Sequence, residues 1–195
     1  MNTAKDFIVV KVKPEHHKTL SNLVNHIYEI GGAFKLNSFN GELSFDKIYT
    51  IRKYDEVDIP IGIVQFHTHP SPCVDFRCAL PIPSVADVIG FTRSCLRRET
   101  IAHIVYTIRG AYLILLTEKI RDLCRKNRSH KEIFLRNTED HLSDIVQQYK
   151  ENLGPFDSFQ NRWLNVVHHL GFDVRVFELN TVPYFRLFMK KQRAL

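Results

Sequence analysis

The stretch Ile61-Gly62-Ile63-Val64-Gln65-Phe66-His67-Thr68-His69-Pro70, followed after a gap by Pro83-Ser84-Val85-Ala86-Asp87, decides how this chain is read. Residues 61–66 form an apolar run with the composition of a buried strand. Pro70 cannot donate to a sheet ladder and so ends it. Side chains at i and i+2 of a strand share a face, which puts His67 and His69 together and turns Thr68 away. Asp87 adds a carboxylate. Two imidazoles and one carboxylate are ligands that zinc favours, and a fourth position left to water marks a hydrolytic site, not a structural one.

Ser84 and Asp87 also have a plainer reading. Pro83 suits the position before a helix, Ser84 the N-cap and Asp87 the N3 position of a capping box, with Asp in place of the usual Glu. The helix so started runs over 84–98 and carries Val85, Val88, Ile89 and Phe91. Such a helix start would also deliver Asp87 from a defined backbone.

Taken together, His67-Thr68-His69-Pro70 and Ser84-Val85-Ala86-Asp87 resemble the JAMM (MPN+) metalloprotease family, whose motif is a Glu, then HxHP, then SxxD. The spacing departs from the family's, because the segment 70–83 is longer than usual. The extra residues, within 71–80, would form a longer loop over the cleft, and loops tolerate insertion at little entropic cost. The resemblance implies an MPN-like α/β sandwich around a central mixed sheet, with zinc held by His67, His69 and Asp87. It also implies a glutamate as general base and Ser84 as hydrogen-bond donor to the developing oxyanion.

Two residues compete for the glutamate. Leu20, Leu23, Val24, Ile27 and Tyr28 recur at helical spacing, and Gly31-Gly32 is a stop signal, so a helix over 16–29 is expected. Glu29 then falls in its last turn, where a negative charge opposes the macrodipole. Glu29-Ile30-Gly31-Gly32 also resembles the family's E-x-x-G entry into its first central strand. Glu42, in Gly41-Glu42-Leu43-Ser44-Phe45, alternates with apolar residues and reads as a solvent-facing strand position. Glu29 is preferred.

The implied activity is zinc-dependent hydrolysis of peptide or isopeptide bonds. In eukaryotic members of the family the protein substrate is often a conjugate of ubiquitin or a ubiquitin-like modifier, which makes a deubiquitinase-like isopeptidase the leading case. Two alternatives come from other classes. One is a non-catalytic MPN scaffold in a protein complex, although such scaffolds typically lack a ligand and none is missing here. The other is a DNA-associated protein of the RadC type, which has a similar motif and would suit a basic chain.

With 195 residues, 44% hydrophobic and 14 Phe beside 7 Tyr, the chain has material for a real core and is not a disordered protein. No apolar run approaches a membrane span, and residues 1–6 lack the form of a signal peptide, so a soluble intracellular protein is expected. The net charge of +6 favours acidic partners. Part of it clusters at Arg121, Arg125, Lys126, Arg128 and Lys131. That segment, 121–131, reads as a solvated linker or helix face, with nucleic-acid contact as the minority reading. Cys73, Cys78, Cys95 and Cys124 show no C-x-x-C spacing, so a zinc-ribbon or thioredoxin-type motif is not supported. Cys73 and Cys78 share the long loop and can pair or bind metal, but reduced thiols are the preferred reading.

Along the chain, strands are expected over 6–13, 33–36, 41–51, the run into His67, 101–108 and 112–116, with Asn40-Gly41 and Arg109-Gly110 as hairpin turns. Helices are expected over 132–152 and 159–170, with Gly171 as a C-cap, and strands near 174–179 and 184–189. The first part, 1–125, is read as the metalloprotease-like domain, and 126–195 as a mainly helical α+β extension packed on it. The pairs His16-His17 and His168-His169 are read as ordinary surface or partly buried histidines, because adjacent helical residues do not share a face.

Overall fold

The structure is a computed structural model and describes residues 7–26, 28–50, 59, 61–69 and 80–188. In chain order the elements are β1 (Phe7–Val12), α1 (Pro14–Leu23), β2 (Ile30–Asn37), β3 (Glu42–Thr50), β4 (Val64–Thr68), α2 (Val85–Leu96), β5 (Ala102–Thr107), β6 (Gly110–Leu115), α3 (Glu118–Cys124), α4 (Arg128–Asn152), α5 (Phe156–Leu170), β7 (Asp173–Phe177) and β8 (Tyr184–Phe188). The strands form a mixed eight-stranded sheet in the order β7-β6-β5-β4-β2-β3-β1-β8. This is a mixed α/β architecture, as expected. β4 and β5 run parallel as neighbours, so the chain needs a crossover between them, and α2 supplies it.

Period-two alternation sorts the side chains onto two faces. Val64 and Phe66 of β4, Ala102, Ile104 and Tyr106 of β5, and Ala111, Leu113 and Leu115 of β6 join Leu20 and Val24 in one core. The odd-numbered Val105 and the even-numbered Tyr112 and Ile114 face the other way. They meet Val88 and Phe91 of α2, Ile120 of α3, Leu142 of α4 and Trp163 of α5. Burying each such large apolar side chain contributes roughly 1.5–3 kcal/mol relative to leaving it exposed. Strands covered on both faces read as continuous apolar runs, which is why β5 and β6 are buried at every position.

The C-terminal segment is woven into this sheet at both ends. β7 pairs antiparallel with β6, and β8 pairs antiparallel with β1, so residues after 170 supply both edge strands. Gly171 caps α5 in the left-handed region at φ 99°, the position expected of it.

Three local readings need correction. The helix expected over 16–29 ends at Leu23, and Glu29 precedes β2 instead of closing a helix, so no macrodipole argument applies to it. Gly31-Gly32 does not stop a helix either; both glycines lie inside β2. Gly32 is required there for a different reason, since a Cβ would run into the carbonyl oxygen of Lys47 and the ring of Phe66. The basic segment extends across α3, which periodicity did not reveal, into the first turn of α4. Its arginines pair locally, Arg121 with Glu118, Arg125 with Asp122 and Arg128 with Glu132. No helix among the described residues is long and apolar enough to cross a membrane.

Candidate metal centre

His67 is the fourth residue of β4, and His69 follows one residue past its end. The strand alternation brings their rings to the same side, with the two Nε2 atoms 3.0 Å apart. Asp87 arrives from the first turn of α2. Its backbone N–H donates to Ser84 Oγ at 3.1 Å, and its Oδ2 accepts from the Ser84 backbone N–H at 2.6 Å, completing the capping box. The same carboxylate lies with Oδ1 3.1 Å from His67 Nε2 and Oδ2 3.0 Å from His69 Nε2. Capping α2 and facing the two imidazoles are thus two uses of one side chain. The box holds the carboxylate in the orientation that faces both imidazoles.

Among the described residues, His67, His69 and Asp87 form a group whose donor atoms converge closely enough to hold a metal ion, all within 4.8 Å of one another. The donor chemistry fits. Ligands bound at about 2.0–2.1 Å around a tetrahedral ion stand roughly 3.3 Å apart, close to the separations seen here. The outer ring nitrogens also have partners. His67 Nδ1 lies 2.7 Å from His103 Nε2, and His69 Nδ1 lies 3.4 Å from the carbonyl oxygen of Leu80. With the protons on Nδ1, both Nε2 lone pairs and both Asp87 oxygens point at one another, and a cation relieves that arrangement.

The three groups are also coupled electrostatically. Burial works against a charged His69, but Asp87 beside it and Glu29 nearby outweigh burial and raise its pKa. Burial also opposes the Asp87 carboxylate, yet the charges of His67 and His69 and their hydrogen bonds hold its pKa well below the usual carboxylate range. Both shifts describe one coupled set, in which the carboxylate and the protonated imidazoles favour each other's charged forms.

Glu29 is 7% exposed. β2 and β4 pair antiparallel with Gly31 opposite His67, and continuing that register sets Glu29 opposite His69. The entry to β2 is fastened by the Ile30 N–H, which donates to Thr68 Oγ1 at 3.0 Å. Glu42 sits elsewhere. It pairs with Asn37 at the far end of β2, accepts from Asn40 Nδ2 at 2.8 Å and approaches Lys11 Nζ at 3.6 Å.

Sequence reading did not single out His103. It occupies β5, with Gln65 of β4 as its register partner, and faces the α2 side as His67 does. Burial pushes its pKa down to about 3, with the charge of His67 adding to the effect. The signal available in the sequence was a lone polar ring inside the apolar run Ile101–Ile108. The other histidine pairs serve the scaffold: His17 Nε2 bonds Leu179 O at 2.9 Å, and His168 Nε2 bonds Val174 O at 3.0 Å. Cys95 and Cys124 are free thiols, and Cys73, Cys78 and the loop 71–79 lie outside the described residues, as does Pro70.

The chain matches no family model, no curated protein and no solved structure.

Proposed function

We propose that this chain is a zinc-dependent hydrolase of peptide or isopeptide bonds of the JAMM (MPN+) type, with a protein conjugate such as a ubiquitin-like isopeptide as its substrate. One observation carries the reading: a buried carboxylate, Glu29, lies just before β2, near enough to the converging His67–His69–Asp87 group to act on the charge of His69, and is not one of the three. A metal-ligand set with a second carboxylate beside it is what metal-assisted hydrolysis requires. The chemistry that zinc supplies when bound is a lowered water pKa and a polarised carbonyl.

The chain's own residues do the rest. His67 Nε2, His69 Nε2 and Asp87 would hold the ion. Glu29 accepts a proton from the attacking water and returns it to the leaving amine nitrogen, the general acid–base role. Ser84 Oγ accepts from the Asp87 N–H, which leaves its own O–H free to donate to the carbonyl oxygen as charge develops there. A donor of that kind is typically worth about 3 kcal/mol.

The test has two stages. Metal analysis of protein purified without a His tag should find one zinc per chain, and the zinc-loaded protein should then cleave isopeptide-linked ubiquitin dimers. Zinc-loaded protein inactive on every linkage would favour the non-catalytic scaffold, or, if it binds DNA with a steep salt dependence, the RadC-type reading.

A further inference from the structure

We propose that His103 is a positioning residue of the metal centre, holding His67 in the tautomer that leaves Nε2 free to bind the ion. The proposal rests on the metal-centre reading above but concerns a residue outside the ligand set.

The geometry is specific. His103 is 1% exposed, and its Nε2 lies 2.7 Å from His67 Nδ1. The Phe91 ring stands edge-on to it at 6.4 Å, and Val105 lies on the same face of β5. His103 Nδ1 is buried with no hydrogen-bond partner among the described residues. A buried imidazole with one unpaired nitrogen is a poor way to fill a core position, because an unpaired buried polar atom loses its hydration without compensation. A leucine or phenylalanine would fill the space without that loss. Packing therefore does not account for a histidine at this position, and the contact with His67 does.

The tautomers follow from that contact. A neutral His67 that offers its Nε2 lone pair to a cation carries its proton on Nδ1. Two N–H groups, or two lone pairs, cannot face each other at 2.7 Å, so His103 must present Nε2 as the acceptor. Its own proton then sits on the unpartnered Nδ1. Metal-binding histidines commonly donate their second N–H to an outer partner, and losing such a partner typically weakens metal affinity 10–100-fold. Here the partner is another imidazole, carried in by the parallel neighbour of the strand that bears His67.

The test measures zinc affinity by chelator competition, independently of any turnover. His103→Phe keeps a ring of similar size but has no acceptor, and should bind zinc about 10–100-fold more weakly than wild type. His103→Gln, whose amide oxygen can reach the place of Nε2, should recover most of that loss. A packing role predicts the reverse order, with Phe tolerated better than Gln, and that order would overturn the proposal. So would wild-type affinity in His103→Phe. Imidazole nitrogen NMR of the zinc-loaded wild type tests the same point without any variant. It should show His103 protonated at Nδ1 and bare at Nε2, and the opposite tautomer would overturn the proposal even if neither variant folds. Wild type that binds no zinc would overturn the metal centre itself, and this proposal with it.

Discussion

Beneath α5, Phe159, Trp163 and Val167 meet Leu142 and Ile145 of α4 over Tyr112, Ile114 and Val174 of the sheet. Beneath the start of α2, the same face of the same sheet carries His67, His69 and His103, with Asp87 closing over them and Glu29 at their side. The first region is held by apolar area, and its value lies in stability. The second buries ionisable groups that oppose folding unless they are paired, and Asp87 pays for part of its burial by capping α2. The contrast teaches that the polar region is tolerated because the apolar one, together with the core on the α1 face, stabilises the shared sheet. Changes in the two regions should therefore separate into different observables.

The sharpest separation comes from the ligands. His67→Ala, or Asp87→Asn, which keeps an acceptor for the capping box, should abolish stoichiometric zinc binding while circular dichroism still reports a folded protein. Full zinc occupancy in either variant would break the distinction between the regions. Glu29→Gln should keep its zinc and lose turnover by 10²–10⁴-fold, about 3–5 kcal/mol of transition-state stabilisation. Parallel metal analysis and steady-state cleavage of an isopeptide substrate would read both effects, and retained turnover would remove Glu29 from the mechanism.

Trp163→Ala probes the other region. Trp163 is fully buried, so the cavity left behind should destabilise the fold by about 3–5 kcal/mol in denaturant titration. Zinc stoichiometry of the fraction that remains folded should not change. Loss of zinc from folded Trp163→Ala would show that the two regions are not independent.

Ser84→Ala refines the boundary between them. Removing the cap should cost about 1 kcal/mol of stability. A further loss of turnover, on the order of 10²-fold, would mark the hydroxyl as an oxyanion donor, and unchanged turnover would restrict Ser84 to capping. The smallest effect is expected of Glu42→Gln. This residue pairs with Lys11 and Asn40 away from the site, and its loss should shift stability by less than about 0.5 kcal/mol and leave cleavage unaltered.

The convergence of His67, His69 and Asp87 was legible in the sequence because its signals are local. Strand alternation relates His67 to His69, and a capping box places Asp87 at N3 of a helix whose start Ser84 announces. Each depends on residues within a few positions of one another. The same holds for the Gly171 cap and for the strands around Arg109-Gly110. The end of α1 was misread because Ile27 and Tyr28 continue the apolar period past Leu23, while Gly31 and Gly32 look like a stop until Phe66 and Lys47 are seen pressed against Gly32.

Everything that depends on which strands become neighbours was settled by tertiary packing. Local pattern alone specifies that two imidazoles share a face and that a carboxylate begins the following helix. It contained no statement that β2 would lie beside β4 and carry Glu29 to His69, or that β5 would pair in parallel with β4 and bring His103 to His67. Nor could it say that β7 and β8 would take opposite edges of one sheet. Periodicity reports which face of an element is apolar, and capping reports where a helix begins. The pairing of strands far apart in the chain is chosen by the packing of whole faces, which no short window of residues encodes.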